Sequence, residues 1–276
     1  MLESGQQDQV RQFRQLFENE MTERLTPRWR SSPAGRSEEH GRRAGCRSRR
    51  RARWEHVSVP CSVAIHVLTG SGRLTPHAPR ITRGVRTTAG ACAERLPLEG
   101  GDIDIVVRDD PRRAIPEVGI GGFASDGHTV FIALDPGHER FDLALGQELA
   151  RAVAHELYHV ARRQASQRGR TLLDALVHEG LADHFSIELT GAEAPIWVQA
   201  LTAEEAATLL RRAHEEYDDA RYDHVAWFFG NDELGIPRWA GYTLGFKLVA
   251  DYLERNPTAK ASTLTSTPSA TLRPPG

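Results

Sequence analysis

Apolar residues recur at helical spacing through the second half of this chain. Residues 141–163 carry them every three or four positions, without proline and with Gly146 as the weak point. A second helical pattern follows the polar stretch 164–170, and a third covers residues 203–217. A fourth begins near Tyr242 and carries an apolar stripe. The pattern therefore predicts a domain that ends in several packed helices.

Two short β-rich runs precede the helices, at residues 103–107 and 129–134. They predict a small N-terminal sheet, and the fold class is therefore α+β. Gly119, Gly121 and Gly122 lie between the runs, but a strand follows them where a dinucleotide-binding loop would need a helix. A turn or a close backbone approach is the predicted use of these glycines.

The stretch 24–95 has poor hydrophobic periodicity, is dominated by Arg, Pro, Gly, Ser and Thr, and contains a basic cluster at 47–53. One interpretation is an irregular or disordered linker. A second is a basic arm for nucleic acid or another anionic surface. A third is that the segment is translated out of frame. The chain has almost no lysine, which is typical of GC-rich coding, and GC-rich codons that are read in a shifted frame give this mixture of residues.

These patterns divide the chain into four parts. Residues 1–23 are predicted to be an N-terminal helix, and residues 24–95 are the irregular segment. Residues 96–265 are predicted to form the α+β domain. Residues 266–276 are rich in Pro and Thr and are predicted to be a disordered tail.

The length of 276 residues allows one sizeable domain, and the net charge of −2 gives no general attraction to nucleic acid or membranes. No segment approaches the roughly 18 uninterrupted apolar residues of a membrane span, and the N-terminus lacks a signal-peptide pattern. The three cysteines have no paired spacing. We therefore expect a cytoplasmic protein without a disulfide framework and without a membrane partner.

The most informative motif lies within the first predicted helix and reads His155-Glu156-Leu157-Tyr158-His159. Two histidines four residues apart project from the same face of a helix, so both imidazoles can reach one metal ion. Glu156 lies beside the open coordination position, where it can take a proton from metal-bound water. The motif therefore predicts a zinc hydrolase site, with Zn²⁺ as the cofactor.

A catalytic zinc takes three protein ligands, and Glu179 on the next predicted helix completes a His, His, Glu set. Asp183 lies one turn further along the same helix face. A zinc-bound histidine usually donates its other ring N–H to a carboxylate. Asp183 is therefore predicted to accept a hydrogen bond from His155.

This arrangement resembles the gluzincin group of metallopeptidases. Residues 173–185 resemble, more narrowly, a bacterial family described as predicted zinc-dependent proteases, and that resemblance covers residues 103–265. It implies a zincin-like domain that hydrolyses a peptide or protein substrate. It also implies that the strand at 129–134 borders the cleft and can pair with an extended peptide. His178 departs from the family pattern, but as the neighbour of Glu179 it points about 100° away around the helix.

Peptide hydrolysis also needs a donor for the oxyanion, which gluzincins often supply from a downstream tyrosine or histidine. Tyr242 is the first candidate, although its position equally suits a core tyrosine at a helix start. The other candidates are His184, Tyr222 and His224.

Two functions of other classes stay open at this point. One is a metal-stabilised interaction module without turnover, and the other is a nucleic-acid-associated protein that acts through the basic cluster at 47–53. A metzincin is excluded, because that pattern requires glycine at Arg162 and histidine at Ala165.

Overall fold

The computed structural model describes residues 62–99, 101–165, 167 and 169–274. The predicted N-terminal helix at 1–23 and the stretch 24–61, with its basic cluster, lie outside these residues.

A four-stranded sheet forms the N-terminal part of the described chain. The strands follow one another along the chain as β1 (Val63–Val67), β2 (Ile103–Asp109), β3 (Ile120–Ala124) and β4 (Thr129–Leu134). Their order in the sheet is β1-β2-β4-β3, with β3 antiparallel to β4 and the other pairs parallel. β3 is therefore an edge strand, whereas β4 is paired on both sides.

Within the part of the chain that the structure describes, seven α-helices accompany the sheet. They are α1 (Ala78–Ala93), α2 (Phe141–Ala144), α3 (Gln147–Gln164), α4 (Leu172–Thr190), α5 (Ala203–Glu216), α6 (His224–Phe229) and α7 (Ala240–Arg255). Four short 3-10 helices add Thr75–His77, Ile196–Gln199, Ala261–Thr263 and Ser269–Leu272. The predicted α+β class, with a small sheet followed by helices, is confirmed.

The prediction of an irregular segment is wrong for residues 62–95. β1 pairs with β2 in the parallel direction, and α1 connects the two strands. The buried positions of α1 follow a helical period that its many Arg, Thr and Gly residues obscure in the sequence. These buried residues are Ile81, Val85, Thr88, Ala89 and Cys92.

The prediction of a disordered tail from residue 266 is also wrong. Ser269–Leu272 forms a 3-10 helix, and Leu272 is fully buried. Arg162 of α3 holds this segment, because its buried guanidinium donates to the carbonyls of Leu264 and Thr267 at 3.0 and 3.2 Å. A charged donor can stabilise irregular backbone that has no helix or sheet of its own.

The first predicted helix is broken in two. α2 and α3 are separated at Leu145 and Gly146, and Gly146 has φ −92° and ψ −105°. α3 then begins afresh and runs without interruption through the motif. It packs between the sheet, α1 and α4, so most of its length is buried.

α4 and α7 approach each other through two glycines. A Cβ atom on Gly180 would lie 2.2 Å from the carbonyl oxygen of Gly245, and one on Gly245 would lie 2.2 Å from that of Leu176. Both positions therefore require glycine, and α4 is fixed between α3 and α7. Among the described residues no helix is long and apolar enough to cross a membrane.

We expect Gly245→Ala to lower the free energy of unfolding by about 1–3 kcal/mol, because the added methyl must push two backbones apart. Gly90→Ala is the matched control, since nothing lies within 4 Å of a Cβ atom at this exposed position of α1. We expect the control to gain about 0.5–1 kcal/mol from better helix propensity. Urea unfolding followed by circular dichroism measures both. Equal stability of Gly245→Ala and the wild type would contradict the described helix contact.

Candidate metal centre

Two buried helices bring the motif residues together. His155 and His159 lie one turn apart on α3, and Glu179 lies on α4, which packs directly against it. α4 starts at a defined residue because Thr171 and Asp174 form a capping box at its N-terminus. This start sets which residues of α4 face α3.

The three ligand atoms converge on one point. Nε2 of His155 lies 3.0 Å from Nε2 of His159 and 3.2 Å from Oε2 of Glu179, and His159 Nε2 lies 3.4 Å from the same oxygen. Ligands at zinc bond lengths of ~2.0–2.1 Å lie roughly 3.3 Å apart when they occupy the corners of a tetrahedron. These separations fit three corners of such a tetrahedron, so His155, His159 and Glu179 could hold one zinc ion.

Asp183 orients the first histidine. Its Oδ1 lies 3.0 Å from Nδ1 of His155, and the residue is completely buried. Because Nδ1 donates to this carboxylate, a neutral His155 carries on Nε2 the lone pair that a metal needs. Trp197 in turn donates its indole N–H to both oxygens of Asp183, at 3.2 Å each. The role of Trp197 was not predicted from the sequence, since nothing in the local pattern sets it apart from a core tryptophan.

The electrostatics of the cluster favour a cation. Burial alone would raise the pKa of Glu179, but the adjacent charge on His159 and hydrogen bonds from both histidines hold it well below its usual value. Burial alone would lower the pKa of His155, and the Asp183 carboxylate instead raises it well above the ordinary value. A divalent ion would take the place of the proton on Nε2 of His155.

Glu156 lies between the ligands and the sheet. It is 6 % exposed, and burial raises the pKa of its carboxyl against the opposing effect of His155 and His159. A Cβ atom on Gly122 of β3 would lie 2.6 Å from Oε1 of Glu156. Glycine at this position therefore leaves the space that the carboxylate occupies, which is the close backbone approach predicted for the glycine run.

The cleft consists of two recesses. They meet at Glu156, Gly122 and Tyr242, and these three residues line both recesses. The tryptophan recess contains Arg151, His155, Trp197, Phe229 and Trp239. The histidine recess contains His159, His178, Glu179, Tyr222 and His224. The metal cluster therefore lies at the middle of one open groove.

The strand that borders this cleft is β3 and not β4. The predicted strand at 129–134 exists, but β2 and β3 occupy both of its edges, so it cannot accept a peptide. The backbone N–H of Asp135 donates to the carbonyl of Gly119, and the backbone N–H of Ser125 donates to that of Thr129, so Gly119 and Ser125 are hydrogen-bonded positions of the β3–β4 ladder. Hydrogen-bonded and non-hydrogen-bonded pairs alternate along an antiparallel ladder, and Gly122 is at a non-hydrogen-bonded position. Its backbone N–H and C=O therefore point away from β4. Gly122 is also exposed, which leaves its backbone open to the cleft.

Three of the four candidates for the oxyanion donor lie in the cleft. Tyr242 is half-buried, and burial, aided by the charge of Glu179, raises the pKa of its hydroxyl well above 10, so it stays an O–H donor. Tyr222 and His224 are hydrogen-bonded to each other at 2.9 Å in the histidine recess. His184 stacks on Phe246 and contacts its carbonyl, so it packs within the fold and lines neither recess.

His178 is not grouped with the metal ligands among the described residues. Its ring stacks on that of His159, with centroids 4.2 Å apart. Burial lowers the pKa of His178 well below its usual value, so it is neutral. It therefore serves as a wall of the ligand site.

The α+β fold and this cluster define a protein with a candidate zinc site of the His, His, Glu kind. The chain belongs to the family described as predicted Zn-dependent protease (DUF2268), which it matches over residues 83–273. The match begins inside the stretch 24–95, for which out-of-frame translation was one hypothesis. Because residues 83–95 match the family in the given reading frame, that hypothesis is wrong for them.

One relative is the uncharacterized protein YjaZ of Bacillus subtilis (strain 168), which is 30 % identical over 129 residues. The alignment covers 44 % of this chain and 47 % of YjaZ, so the chain spans about half the length of that relative. No solved structure matches the chain.

We expect the wild type to bind one zinc ion and His155→Ala and Glu179→Ala to lose it, because two protein ligands hold the ion poorly. Asp183→Asn should keep the ion but bind it about 10–100-fold more weakly, since it alters the partner of a ligand and not a ligand. Elemental analysis of protein purified without a metal-affinity step, followed by competition with a chelator, measures both effects.

His214→Ala is the control, because this exposed histidine lies on α5 away from the cluster. It should retain the wild-type zinc content. If His178→Ala lost zinc while Glu179→Ala kept it, the ligand set would be wrong.

Proposed function

We propose that the protein is a zinc-dependent peptidase of the gluzincin type. The observation that carries the proposal is the position of Glu156, a buried carboxylate beside three convergent ligand atoms in an open cleft. A purely structural zinc site is closed by four protein ligands, whereas a catalytic site keeps one position open. The family description agrees with this class of activity.

Zinc held by His155, His159 and Glu179 would act as a Lewis acid and would lower the pKa of a water molecule to about 7. Glu156 then accepts the proton of the attacking water and donates it to the amine that leaves.

The edge of β3 at Gly122 gives the substrate a place to bind, whereas on the same edge the carbonyl of Ile120 already accepts a hydrogen bond from the backbone N–H of Ile115. An extended peptide that pairs with Gly122 would run along the cleft in front of Glu156, with its side chains directed into the two recesses. The absence of a side chain at Gly122 lets the peptide backbone come close to the metal cluster.

Tyr242 is the proposed oxyanion donor. It lines both recesses together with Glu156, and it lines the histidine recess together with His159 and Glu179, so it lies near the ligands. A neutral hydroxyl at this position can stabilise negative charge on the attacked carbonyl oxygen. The hydrogen-bonded pair of Tyr222 and His224 is the other candidate from the same groove.

We expect Glu156→Gln to lower kcat by about 10²–10⁴-fold while zinc content and stability stay at the wild-type level, because glutamine keeps the shape but cannot move the proton. Cleavage of a quenched-fluorescent peptide library by zinc-loaded protein measures the rate. Glu188→Gln is a matched control on α4, where the carboxylate binds Ser262.

Two outcomes would contradict the peptidase. A Glu156→Gln variant that cleaves as fast as the wild type would show that the activity comes from another protein in the preparation. A zinc-loaded, folded wild type that cleaves no member of the library would favour the metal-stabilised interaction module.

A further inference from the structure

Arg151 lies in the tryptophan recess and has no role in the chemistry described above. It is on α3, four residues before His155, so its side chain shares the helix face of the first metal ligand. The residue is only 5 % exposed, yet it lines the recess together with His155 and Glu156. A guanidinium is thus held at the wall of the cleft, about one helical turn from the ligands.

The guanidinium of Arg151 is incompletely satisfied. Its Nε is buried without a hydrogen bond among the described residues, and the nearest carboxylate oxygen, Oε2 of Glu148, is 3.4 Å away. Glu148 is an i,i+3 neighbour on the same helix and is partly exposed. A buried guanidinium with one unpaired N–H is costly, which favours an additional anionic partner.

The other charged groups of the recess are already accounted for. Arg238 binds both oxygens of Glu117, at 2.5 and 3.3 Å. Glu156 belongs to the metal site. Arg151 is therefore the cation of this recess that is best placed to receive a ligand.

The rest of the recess is apolar and aromatic. Its walls include Trp197, Phe229, Trp239, Val118 and Ile120. Such walls suit an apolar side chain, and the arginine at their edge suits a carboxylate next to that side chain.

The direction of β3 decides which end of a peptide enters the tryptophan recess. Ile120, at the start of β3, lines this recess, whereas Ala124, at its end, lines the histidine recess. A peptide paired antiparallel to β3, the more stable arrangement per residue, would place its C-terminal part in the tryptophan recess.

We propose that Arg151 binds a substrate carboxylate one or two residues beyond the scissile bond, next to an apolar side chain. The spacing follows from one helical turn of ~5.4 Å between Arg151 and His155 and an advance of ~3.3 Å per extended residue. The carboxylate is either the C-terminus of the peptide or an acidic side chain. This inference rests on the proposed peptidase function and adds a substrate class to it.

The test measures peptide binding to zinc-loaded Glu156→Gln protein, so that cleavage does not interfere. The probes are acetylated tetrapeptides with apolar residues at the last two positions, each as a free acid and as a C-terminal amide. A second set consists of amides with Glu or Gln at one of those positions. Calorimetry gives the dissociation constants, and the two sets distinguish a terminal carboxylate from an acidic side chain.

We expect at least one kind of carboxylate to bind about tenfold more tightly than its neutral counterpart, as a charge-assisted hydrogen bond allows. Arg151→Met, added to the same background, should abolish this preference, and Arg151→Lys should weaken it because lysine lacks the planar fork. Arg211→Met, on the exposed face of α5, should leave it unchanged. Glu148→Gln should enlarge it by removing the competing carboxylate.

Equal affinities of the acid and the neutral peptide in every pair would overturn the proposal. A preference for the carboxylate that survives in folded Arg151→Met would also overturn it. If Arg151→Met does not fold, the lysine and Glu148→Gln variants decide, and unchanged preference in both overturns it. Cleavage of the same probes by zinc-loaded wild type tests the peptidase separately. Cleavage without a carboxylate preference contradicts only the role of Arg151, and preference without cleavage contradicts only the peptidase.

Discussion

The structure depends on how negative charge is accommodated at the floor of the cleft. Glu156 and Asp183 are buried, and Glu179 lies beside them with its side chain 17 % exposed. Buried carboxylates need cations or hydrogen-bond donors, and here two imidazoles and the indole of Trp197 supply part of the compensation. A divalent ion at the convergent atoms of His155, His159 and Glu179 would supply the rest.

The scaffold keeps these groups in place from three sides. α3 is packed between the sheet and α4, and the glycine contact between α4 and α7 holds α4 against it. Behind α3, Tyr158 donates to the carbonyl of Ala261 and Arg162 binds the carbonyls of the C-terminal segment. The rigid rear of the motif helix therefore contrasts with its front, where β3 leaves an exposed edge beside Glu156. Such rigidity is what a preorganised site requires.

The local parts of the site could be predicted from the sequence, because the candidate ligands lie on helices and helical spacing translates directly into a shared face. The contact between Asp183 and His155 could be predicted for the same reason. The partners that come from distant elements could not. Trp197 reaches Asp183 from a 3-10 helix. The strand β3, which appears in the sequence only as a glycine run, takes the edge position that was expected for residues 129–134. The strand and helix within residues 62–95 were missed because Arg and Gly on the exposed face of α1 obscure its buried stripe.

Two histidines and one glutamate are expected to bind a zinc ion that keeps a further position open. X-ray absorption spectroscopy at the zinc edge measures this coordination. We expect about four nitrogen or oxygen neighbours at ~2.0–2.1 Å, with the multiple scattering of two imidazoles and without sulfur. Glu179→Ala should change the shell of oxygen neighbours and leave the imidazole signal in any ion that remains bound. A third imidazole, or a sulfur neighbour at ~2.3 Å, would contradict the ligand set.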